Sequence, residues 1–303
     1  MRRRRAAAGA PEGALVVDKP AGPTSHDVVA TARRALGQPR VGHTGTLDPQ
    51  ATGVLPLLLG RATRLAQFLS TSRKSYEAHV RFGQATSSYD AAGDPIGPAQ
   101  DIVVDPARLE LALDAFRGTF TQTPPAVSAK QVGGRRAYDL ARADQPVTLA
   151  PVSVEVHELV LVDVQGPTAQ LRVTCSAGFY VRALAHDLGI ALGTGAHLAA
   201  LRRTRSGAFT LEEAVSLDQL VQDAASVAGS VLPLAAILAD WPMVTASARG
   251  CDRLAHGQML SVTDLAAPAP HQAGRMRVMT EAGELAALAD WRAGALHPFL
   301  VLV

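Results

Sequence analysis

Apolar positions near the N-terminus predict a strand followed by an amphipathic helix. The short apolar run at 14–17 is typical of a buried strand. Thr24 is followed three residues later by Asp27, a pattern that resembles a capping box and marks the start of a helix. The apolar periodicity continues to about Leu36, and Gly37 predicts the end of this helix.

The next apolar segments predict two further strands and a second helix. The run at 54–59 is short and continuous, as in a buried strand. Between 76 and 82 apolar residues alternate with polar or charged ones, which predicts a half-buried strand. Residues 106–116 have helical spacing. From 121 to about 151 the periodicity ends and Pro, Gly, Arg and Gln accumulate, which predicts an exposed, mobile insertion.

Strand and helix patterns continue through the second half of the chain. Alternation returns at 171–175, and Gly178 interrupts it. A helical apolar stripe then runs over 181–192 and is followed by Gly193 as its C-terminal cap. A further helical stretch is predicted near 211–221. Because strands and helices mix without a regular βαβ period, we predict an α+β fold with a mainly antiparallel sheet.

These patterns divide the chain into an arm, a large domain and a small C-terminal domain. Short strands separated by Gly, Pro and His predict a β-rich domain over 241–303. The large domain covers 14–240 and contains the insertion at 121–151. The arm, 1–13, begins with four consecutive arginines after the first residue, and we predict that it is disordered or contacts phosphate.

Composition adds a bias towards arginine. The net charge is only +2, which points to no particular partner. Of the 29 basic residues three are lysine, so 26 are arginine, whose planar donor set binds phosphate and stacks on bases. A genome-wide preference for arginine codons explains the bias equally well. Charge therefore makes a nucleic-acid partner plausible without establishing one.

Several classes of protein and site are disfavoured by what the sequence lacks. No apolar run is long enough to cross a bilayer, and no secretory signal follows the basic N-terminus. The two cysteines form no C-x-x-C pair. No metal-binding helix motif, glycine-rich phosphate motif or serine-nucleophile elbow occurs. We therefore expect a cytoplasmic protein with neither a metal site, a disulfide framework nor a membrane contact.

One glycine-rich loop carries the candidate chemistry. Residues 42–53 read GHTGTLDPQATG, and the three glycines let the backbone expose His43 and Asp48. Asp48 before Pro49 also fits a helix N-cap with proline in the first turn, and spacing alone favours this structural role. His43 equally fits a loop histidine bonded to the backbone. The roles are compatible, because a capped carboxylate stays ionised and fixed in direction, as a carboxylate nucleophile requires.

Five segments of the chain, in order, resemble the motifs of one known family. They are 18–25 (DKPAGPTS), 42–60 (GHTGTLDPQATGVLPLLLG), 74–78 (KSYEA), 178–182 (GFYVR) and 195–203 (GAHLAALRR). Together they are similar to the TruB family of tRNA pseudouridine synthases. A shorter segment, 253–258 (RLAHGQ), resembles PUA-type RNA-binding domains, with a generic β appendage as the alternative. The resemblance implies a pseudouridine synthase fold with a C-terminal PUA-like domain.

The resemblance also implies an active site built around Asp48. Asp48 would be the nucleophile and Arg182 its partner, while Tyr76 would pack on the target base and take part in removing its C5 proton. Arg182 lies near the start of its predicted helix, where the macrodipole disfavours a cation, so an opposing carboxylate would compensate. The alternative for Arg182 is an ordinary surface arginine.

Further residues are expected to contact the RNA. The resemblance implies that His43 holds the target nucleotide out of its stack and that Tyr180 and Leu201 line the uracil pocket, with ordinary core positions as the alternative for the last two. Lys19 would support the loop or a phosphate, or else be a solvated surface lysine. The basic residues expected on the RNA are Lys130, Arg135, Arg136, Arg202 and Arg203.

The family reaction turns uridine into pseudouridine without redox change or group transfer, so we expect no cofactor. The resemblance implies that the partner is tRNA, gripped at its T arm, with the uridine at position 55 of the standard tRNA count as target. The compact length and the lack of long charged extensions favour a stand-alone tRNA enzyme without an obligatory protein partner, and we expect a monomer. Two alternatives stay open: a synthase that acts on another RNA or with a guide RNA, and an RNA-binding protein or chaperone without catalysis.

Overall fold

The computed structural model describes residues 9–126, 149–268 and 272–303, and the backbone alone at 131–132 and 135–136. Most of the strands within these ranges belong to two sheets. In chain order the strands are β1 (Gly13–Lys19), β2 (Val41–His43), β3 (Thr52–Leu59), β4 (Lys74–Phe82), β5 (Ala85–Thr86), β6 (Pro95–Ile96), β7 (Gly118–Gln122), β8 (Gln131–Val132), β9 (Arg135–Arg136), β10 (Val152–Gln165), β11 (Thr168–Cys175), β12 (Ala196–Ser206), β13 (Phe209–Thr210), β14 (Val215–Ser216), β15 (Met243–Thr245), β16 (Leu260–Ser261), β17 (Gly274–Met279), β18 (Leu285–Arg292) and β19 (Ala295–Val301).

Helices are fewer than strands in the described part of the chain. They are α1 (Ser25–Ala35), α2 (Ala66–Leu69), α3 (Pro106–Leu113), α4 (Val181–Leu192), α5 (Leu217–Gln222), α6 (Ala224–Gly229) and α7 (Ala248–Ala255). Short 3-10 helices extend or link them at Gly60–Leu65, Asp114–Phe116, Leu234–Ala236 and Val262–Asp264.

The large sheet is mainly antiparallel, which confirms the predicted α+β class. Its strand order is β14-β1-β3-β12-β4-β11-β10-β7, with β2 added to β3 and β13 to β12. The pairs β1·β14 and β3·β12 are parallel, and the other pairs are antiparallel. A second sheet of order β15-β17-β18-β19-β16 forms from the C-terminal segment. The tail is therefore β-rich, as the short apolar runs indicated.

Local sequence signals set the ends of the main elements. The capping box before α1 forms as predicted: the Thr24 side chain accepts from Asp27 N, and the Asp27 side chain accepts from Thr24 N. Gly193 ends α4 in the left-handed conformation, with φ of +72°. At Gly53 a side chain would not fit, because a Cβ atom there would lie 2.2 Å from the carbonyl oxygen of Arg203 on the neighbouring strand.

Two predicted boundaries are wrong. The helix expected over 211–221 begins only at Leu217, because Val215 and Ser216 pair in parallel with β1 and Ser216 then caps α5. The insertion expected to begin at 121 starts later, since β7 continues to Gln122 and the side chain of Gln122 is buried. In both cases pairing with a strand that is distant in sequence overrides the local pattern.

The two sheets share one hydrophobic core. Buried residues of β1 and β3 form a single apolar cluster with buried residues of β17, β18 and β19 and with Leu302. Phe68, in α2, packs edge-to-face on Trp241 at a ring distance of 5.7 Å. The Arg61 guanidinium donates to the carbonyl of Leu302 at 2.7 Å. The C-terminal sheet is thus packed against the large sheet, while the domain boundary at 241 and the PUA-like assignment stay predictions.

Candidate active site

The loop that carries Asp48 connects β2 to β3 and is fixed by the start of α1. The Ser25 hydroxyl, which is buried, accepts from Leu47 N at 2.9 Å and donates to Leu47 O at 3.0 Å. The backbone N–H of Gly22 donates to the carbonyl of Pro49 at 2.9 Å. The residues that precede and begin α1 therefore set the path of the loop.

Lys19 supports the same loop from beneath. Its side chain is fully buried, and Nζ donates to the carbonyls of Pro20, Pro49 and Ala51 at 2.9, 2.9 and 2.8 Å. Burial lowers the pKa of Lys19 to about 8, against the opposing effect of the Asp48 carboxylate. Because three backbone carbonyls take up the ammonium donors, the geometry favours loop support over a phosphate contact. The solvated-surface alternative is wrong.

A tight turn, and no helix, follows Asp48. Ala51 N donates to Asp48 O at 3.1 Å, and the chain enters β3 at Thr52. The helix-cap interpretation of Asp48 and Pro49 is therefore wrong, since the fixed φ of proline suits a turn as well as a first helical turn. The Asp48 side chain is 42% exposed and lines a cavity of about 250 Å³.

The ion pair expected between Asp48 and Arg182 is present. Nε of Arg182 lies 3.0 Å from Oδ2 of Asp48, and Nη2 donates to Oδ1 at 3.4 Å. The Arg182 side chain is only 5% exposed, so this is not a surface arginine, and its charge acts in a medium of low dielectric constant. Arg182 is the second residue of α4, so the pair also brings a carboxylate to the positive end of that helix.

Arg182 contacts a second carboxylate that the sequence patterns did not indicate. Nη1 of Arg182 donates to the carbonyl of Ser88 at 3.0 Å and lies 3.6 Å from Oδ2 of Asp90. Oδ1 of Asp90 accepts from Ser88 Oγ at 2.5 Å and from Ala92 N at 3.0 Å, which fixes this carboxylate. The guanidinium is thus held between Asp48 and Asp90.

Arg203 lies under the loop and not on the surface expected to contact RNA. Its side chain is 1% exposed. Nε donates to the carbonyl of Val54 at 2.7 Å and Nη2 to that of Gly45 at 3.1 Å. In the sheet register Arg203 stands opposite Tyr76, and their side chains share a hydrogen bond. The expectation of an RNA contact is corrected: Arg203 joins the nucleophile loop to the strand that carries Tyr76.

Tyr76, Tyr180 and Leu201 line the cavity beside Asp48. All three are half-buried, and Tyr76 and Leu201 also pack on the hydrophobic core. Burial raises the pKa of Tyr76, and the positive charge of Arg203 opposes this effect. Gln122 fixes the backbone of Tyr180, accepting from Tyr180 N at 2.8 Å and donating to Tyr180 O at 3.1 Å. Sequence gave no sign of this role for Gln122, because the contact joins β7 to the start of α4.

A further cation, Lys74, lines the cavity without having been singled out in the sequence. Nζ donates to the carbonyls of Ser70 and Ser72 at 2.5 and 2.6 Å. Burial lowers the pKa of Lys74 to about 8, and the nearby Arg203 charge adds to the effect. Lys74, Arg182 and Arg203 thus place three basic side chains around the cavity that Asp48 lines.

His43 lies at the end of β2, outside the residues that line the cavity. Its Nδ1 accepts from Gly45 N at 3.3 Å, so it is bonded to the loop backbone. Its ring meets that of His26 edge-to-face, with centroids 5.9 Å apart. The structure thus places His43 beside the loop, where a role towards a nucleotide entering the cavity stays a prediction.

Arg202, another residue expected to contact RNA, does not line the cavity. Arg202 is partly exposed and pairs with Asp18 at 2.7 Å, beside a separate small cavity. Lys130 lies outside the described residues. Of Arg135 and Arg136 only the backbone is described, where β8 and β9 pair as antiparallel strands.

Among the residues that the structure describes, no group of three or more His, Cys, Asp or Glu side chains could hold a metal ion. None of the described helices is both long and apolar enough to span a membrane.

The buried lysine under the loop predicts a dependence of stability on pH. The pKa of Lys19 is about 8 in the folded chain and 10.5 when unperturbed, so the unfolded state binds more protons between these values. The stability linked to Lys19 is therefore complete above pH 10.5 and lost as pH falls through 8. Lys19→Met lacks this dependence. We expect the wild type to gain on the order of 3 kcal/mol over the variant across this window.

Urea unfolding at several pH values checks this prediction. Lys74→Met is a matched comparison, because burial lowers the pKa of Lys74 to about 8 as well. Parallel curves of unfolding free energy against pH for the wild type and Lys19→Met would contradict the prediction.

Models of one protein family match most of the chain. The description "TruB family pseudouridylate synthase (N terminal domain)" covers residues 33–181, and "tRNA pseudouridylate synthase B C-terminal domain" covers residues 182–239. The chain is 46% identical to tRNA pseudouridine synthase B of Solibacter usitatus, over 96% of this chain and 100% of that protein. It is 43% identical to the protein of the same name from Thermobifida fusca, over 96% and 98%.

Solved structures with the same fold come from larger assemblies. A structure of a Cbf5-Nop10-Gar1 complex contains a chain that superposes with a TM-score of 0.74 at 29% identity, over 98% of this chain and 87% of that one. A chain of an H/ACA RNP bound to a substrate RNA containing 2'-deoxyuridine superposes with a TM-score of 0.73 at 27% identity, over 96% and 85%.

Proposed function

Because the chain belongs to the TruB family of pseudouridylate synthases, we propose that it isomerises uridine 55 in the T loop of tRNA, with Asp48 as nucleophile and no cofactor. As a member of this family the chain is an isomerase that acts on uridine in tRNA. The T-loop position, the nucleophile and the lack of a cofactor are the parts that the proposal adds.

One observation carries the proposal: an accessible carboxylate is held in a small, cation-lined cavity. Arg182 binds the carboxylate of Asp48, and the loop turn holds its backbone through the bond from Ala51 N. The carboxylate therefore faces a substrate in one orientation. Such preorganisation removes the entropy loss that would otherwise slow the reaction. The cavity of about 250 Å³ suits one nucleotide and not a duplex, so the target base must leave its stack.

The chemistry needs no oxidant, reductant or group donor. The bond between ribose C1′ and base N1 breaks, the uracil turns, and a bond from C1′ to C5 forms while the C5 proton leaves and N1 gains one. An ionised carboxylate serves this sequence by attack on C1′, by attack on C6, or by promoting a glycal. Each route requires a carboxylate that is fixed and reachable, as Asp48 is.

Side chains around Asp48 supply the remaining functions in this proposal. The ring of Tyr76 packs on the uracil, and its hydroxyl takes part in transfer of the C5 proton, with the Arg203 cation stabilising the phenolate. Tyr180 and Leu201 close the apolar side of the cavity. His43 holds the flipped nucleotide at the entrance, and Lys19 acts through the shape of the loop.

We further propose that residues 241–303 form a PUA-like domain that adds contacts to the RNA. Arg275, on β17, lies 5.8 Å from the ring centroids of both Trp241 and Phe299 and is exposed. Arginine on an aromatic surface suits contacts with phosphate and with base faces. The chain acts as a monomer without a protein partner in this proposal.

Tritium release from T-arm RNA tests the proposal. The substrate is a T-arm stem-loop transcript with uridine tritiated at C5, because the C5 proton is lost only when the new bond forms. We expect stoichiometric release in the presence of EDTA and without added cofactor. A transcript with cytidine at position 55 is the matched control and should release no tritium.

Other outcomes favour the alternatives. Release from uridines outside the T loop would move the target to another site or RNA. Binding of the T arm without any release, in several tRNA sequences, would favour an RNA-binding protein without catalysis. Release only after addition of a guide RNA would place the chain beside the assemblies that its structural neighbours come from.

A further inference from the structure

The backbone at Tyr89 adopts a conformation that residues other than glycine rarely take. Its φ is +67°, in the left-handed region. The residues on either side of it, Ser88 and Asp90, are those that contact Arg182 through a carbonyl and a carboxylate. The left-handed residue therefore turns the chain so that both neighbours face the same guanidinium. Non-glycine residues in this region persist where the surroundings enforce them.

The ring of Tyr89 supplies such an enforcing contact. It stacks on the ring of His186 with centroids 3.8 Å apart and planes inclined by 11°. His186 lies on α4, one turn after Arg182, so both side chains project from the same side of the helix. The loop at Ser88–Asp90 is consequently joined to α4 at two levels, by polar contacts at Arg182 and by the rings at His186.

The chemistry of His186 favours a stacking role over a hydrogen bond through Nδ1. Its Nδ1 is buried and has no hydrogen-bond partner in the described structure. Burial also lowers the pKa of His186, which keeps the ring neutral near pH 7. A neutral ring with an unused buried nitrogen acts as a flat surface. An apolar aromatic residue should therefore replace it without loss.

The remaining contacts of this loop do not fix its distance from α4. The carbonyl of Tyr89 accepts from Leu198 N at 2.9 Å, and Ala91 N donates to the carbonyl of Leu198 at 3.0 Å. These bonds tie the loop to β12, in the sheet. The Tyr89–His186 contact ties the loop to α4, in addition to the polar contacts at Arg182.

We propose that the Tyr89–His186 stack is a positioning pair, which holds Ser88 and Asp90 against Arg182 and thereby fixes the guanidinium that orients Asp48. Neither ring lines the cavity, so neither is placed to contact a base that enters it. The inference rests on the function proposed above, because it assigns the pair to the chemical step of that reaction. Loss of the stack lets the loop shift, and a misplacement of this kind slows chemistry more than binding.

Matched variants separate the ring from the backbone. Tyr89→Gly accepts φ of +67° without strain but removes the ring, and Tyr89→Phe keeps the ring with the same backbone preference as tyrosine. His186→Ala removes the stack from the other side, while His186→Phe keeps it and removes the unsatisfied nitrogen. We expect Tyr89→Gly and His186→Ala each to lower the single-turnover rate of tritium release about tenfold. The two phenylalanine variants should stay within about twofold of the wild type.

Comparing the effects on RNA affinity with those on the single-turnover rate distinguishes a positioning role from a role in stability alone. The affinity for T-arm RNA and the KM should stay within about twofold in all four variants. The double variant Tyr89→Gly/His186→Ala should be no slower than either single variant, because the two substitutions remove the same contact.

Three results would overturn the inference. Tyr89→Gly with a wild-type single-turnover rate removes the stack from the mechanism and leaves the proposed function intact. If activity falls only in proportion to the folded fraction, measured by circular dichroism at the assay temperature, the stack stabilises the fold and has no positioning role. Absence of release by the wild type from every T-arm substrate overturns the proposed function and this inference together.

Discussion

Asp48→Asn should reduce tritium release from T-arm RNA to below detection, a loss of at least about 10⁴-fold, which is the scale for removing a nucleophile. The amide has the size of the carboxylate and can still accept a hydrogen bond from Arg182, so the cavity keeps its shape. An amide oxygen is neutral and a poor nucleophile, however, and cannot carry the covalent step. The affinity for the T arm should stay within a few fold, because most binding energy comes from contacts elsewhere on the RNA.

A second carboxylate, outside the residues that line the cavity, provides the control. Asp101→Asn changes an exposed acidic residue and should leave both rate and affinity unchanged. The measurement is single-turnover tritium release with enzyme in excess, together with filter binding of the same transcript. Turnover by Asp48→Asn at more than a trace of the wild-type rate would remove Asp48 from the mechanism, whereas loss of binding would show that the substitution disturbs the fold.

Arg182→Met should lower the single-turnover rate about 10²- to 10³-fold, the range for loss of one preorganised donor at a reacting centre. The variant removes both contacts to Asp48, so the carboxylate can rotate away from the substrate. It also leaves Asp90 without its cation in a mostly buried position. We expect the free energy of unfolding to fall by about 1–3 kcal/mol for this second reason.

A double variant separates the two consequences. Arg182→Met/Asp90→Asn removes the uncompensated charge and should recover much of the stability while the rate stays low. Arg182→Lys keeps the positive charge but cannot bridge two carboxylates and a carbonyl, so an intermediate rate is expected. Recovery of the rate together with the stability would mean that Arg182 serves only the fold.

The sequence identified the loop that contains the proposed nucleophile but did not predict the conformation of this loop. The glycines and Asp48 lie within one continuous segment, 42–53, so its resemblance to a family motif is visible without any structure. Asp followed by Pro suits a turn as well as a helix start, so this pair of residues alone does not distinguish the two. Hydrogen bonds to the loop carbonyls from Gly22 N, Lys19 Nζ and Ser25 Oγ decide between them, and these donors lie in another segment.

Arg203 shows the opposite case, in which a familiar residue type suggested the wrong surface. Two adjacent arginines in a strand, Arg202 and Arg203, necessarily point to opposite faces of the sheet. The sequence gives no sign of which face is covered. The structure buries Arg203 beneath the loop, where four groups including Tyr76 satisfy it, and leaves Arg202 partly exposed beside Asp18.

The sequence by itself determined the elements with strong local signals and the family resemblance. The capping box at Thr24, the buried run before Leu59 and the glycine cap after α4 depend on interactions within a few residues, so their patterns are readable along the chain. Only the tertiary structure decided that Asp90, Gln122, Lys74 and His186 surround the site. Their contacts join segments far apart in sequence, and such contacts follow from how sheet and helices pack, which local periodicity does not encode.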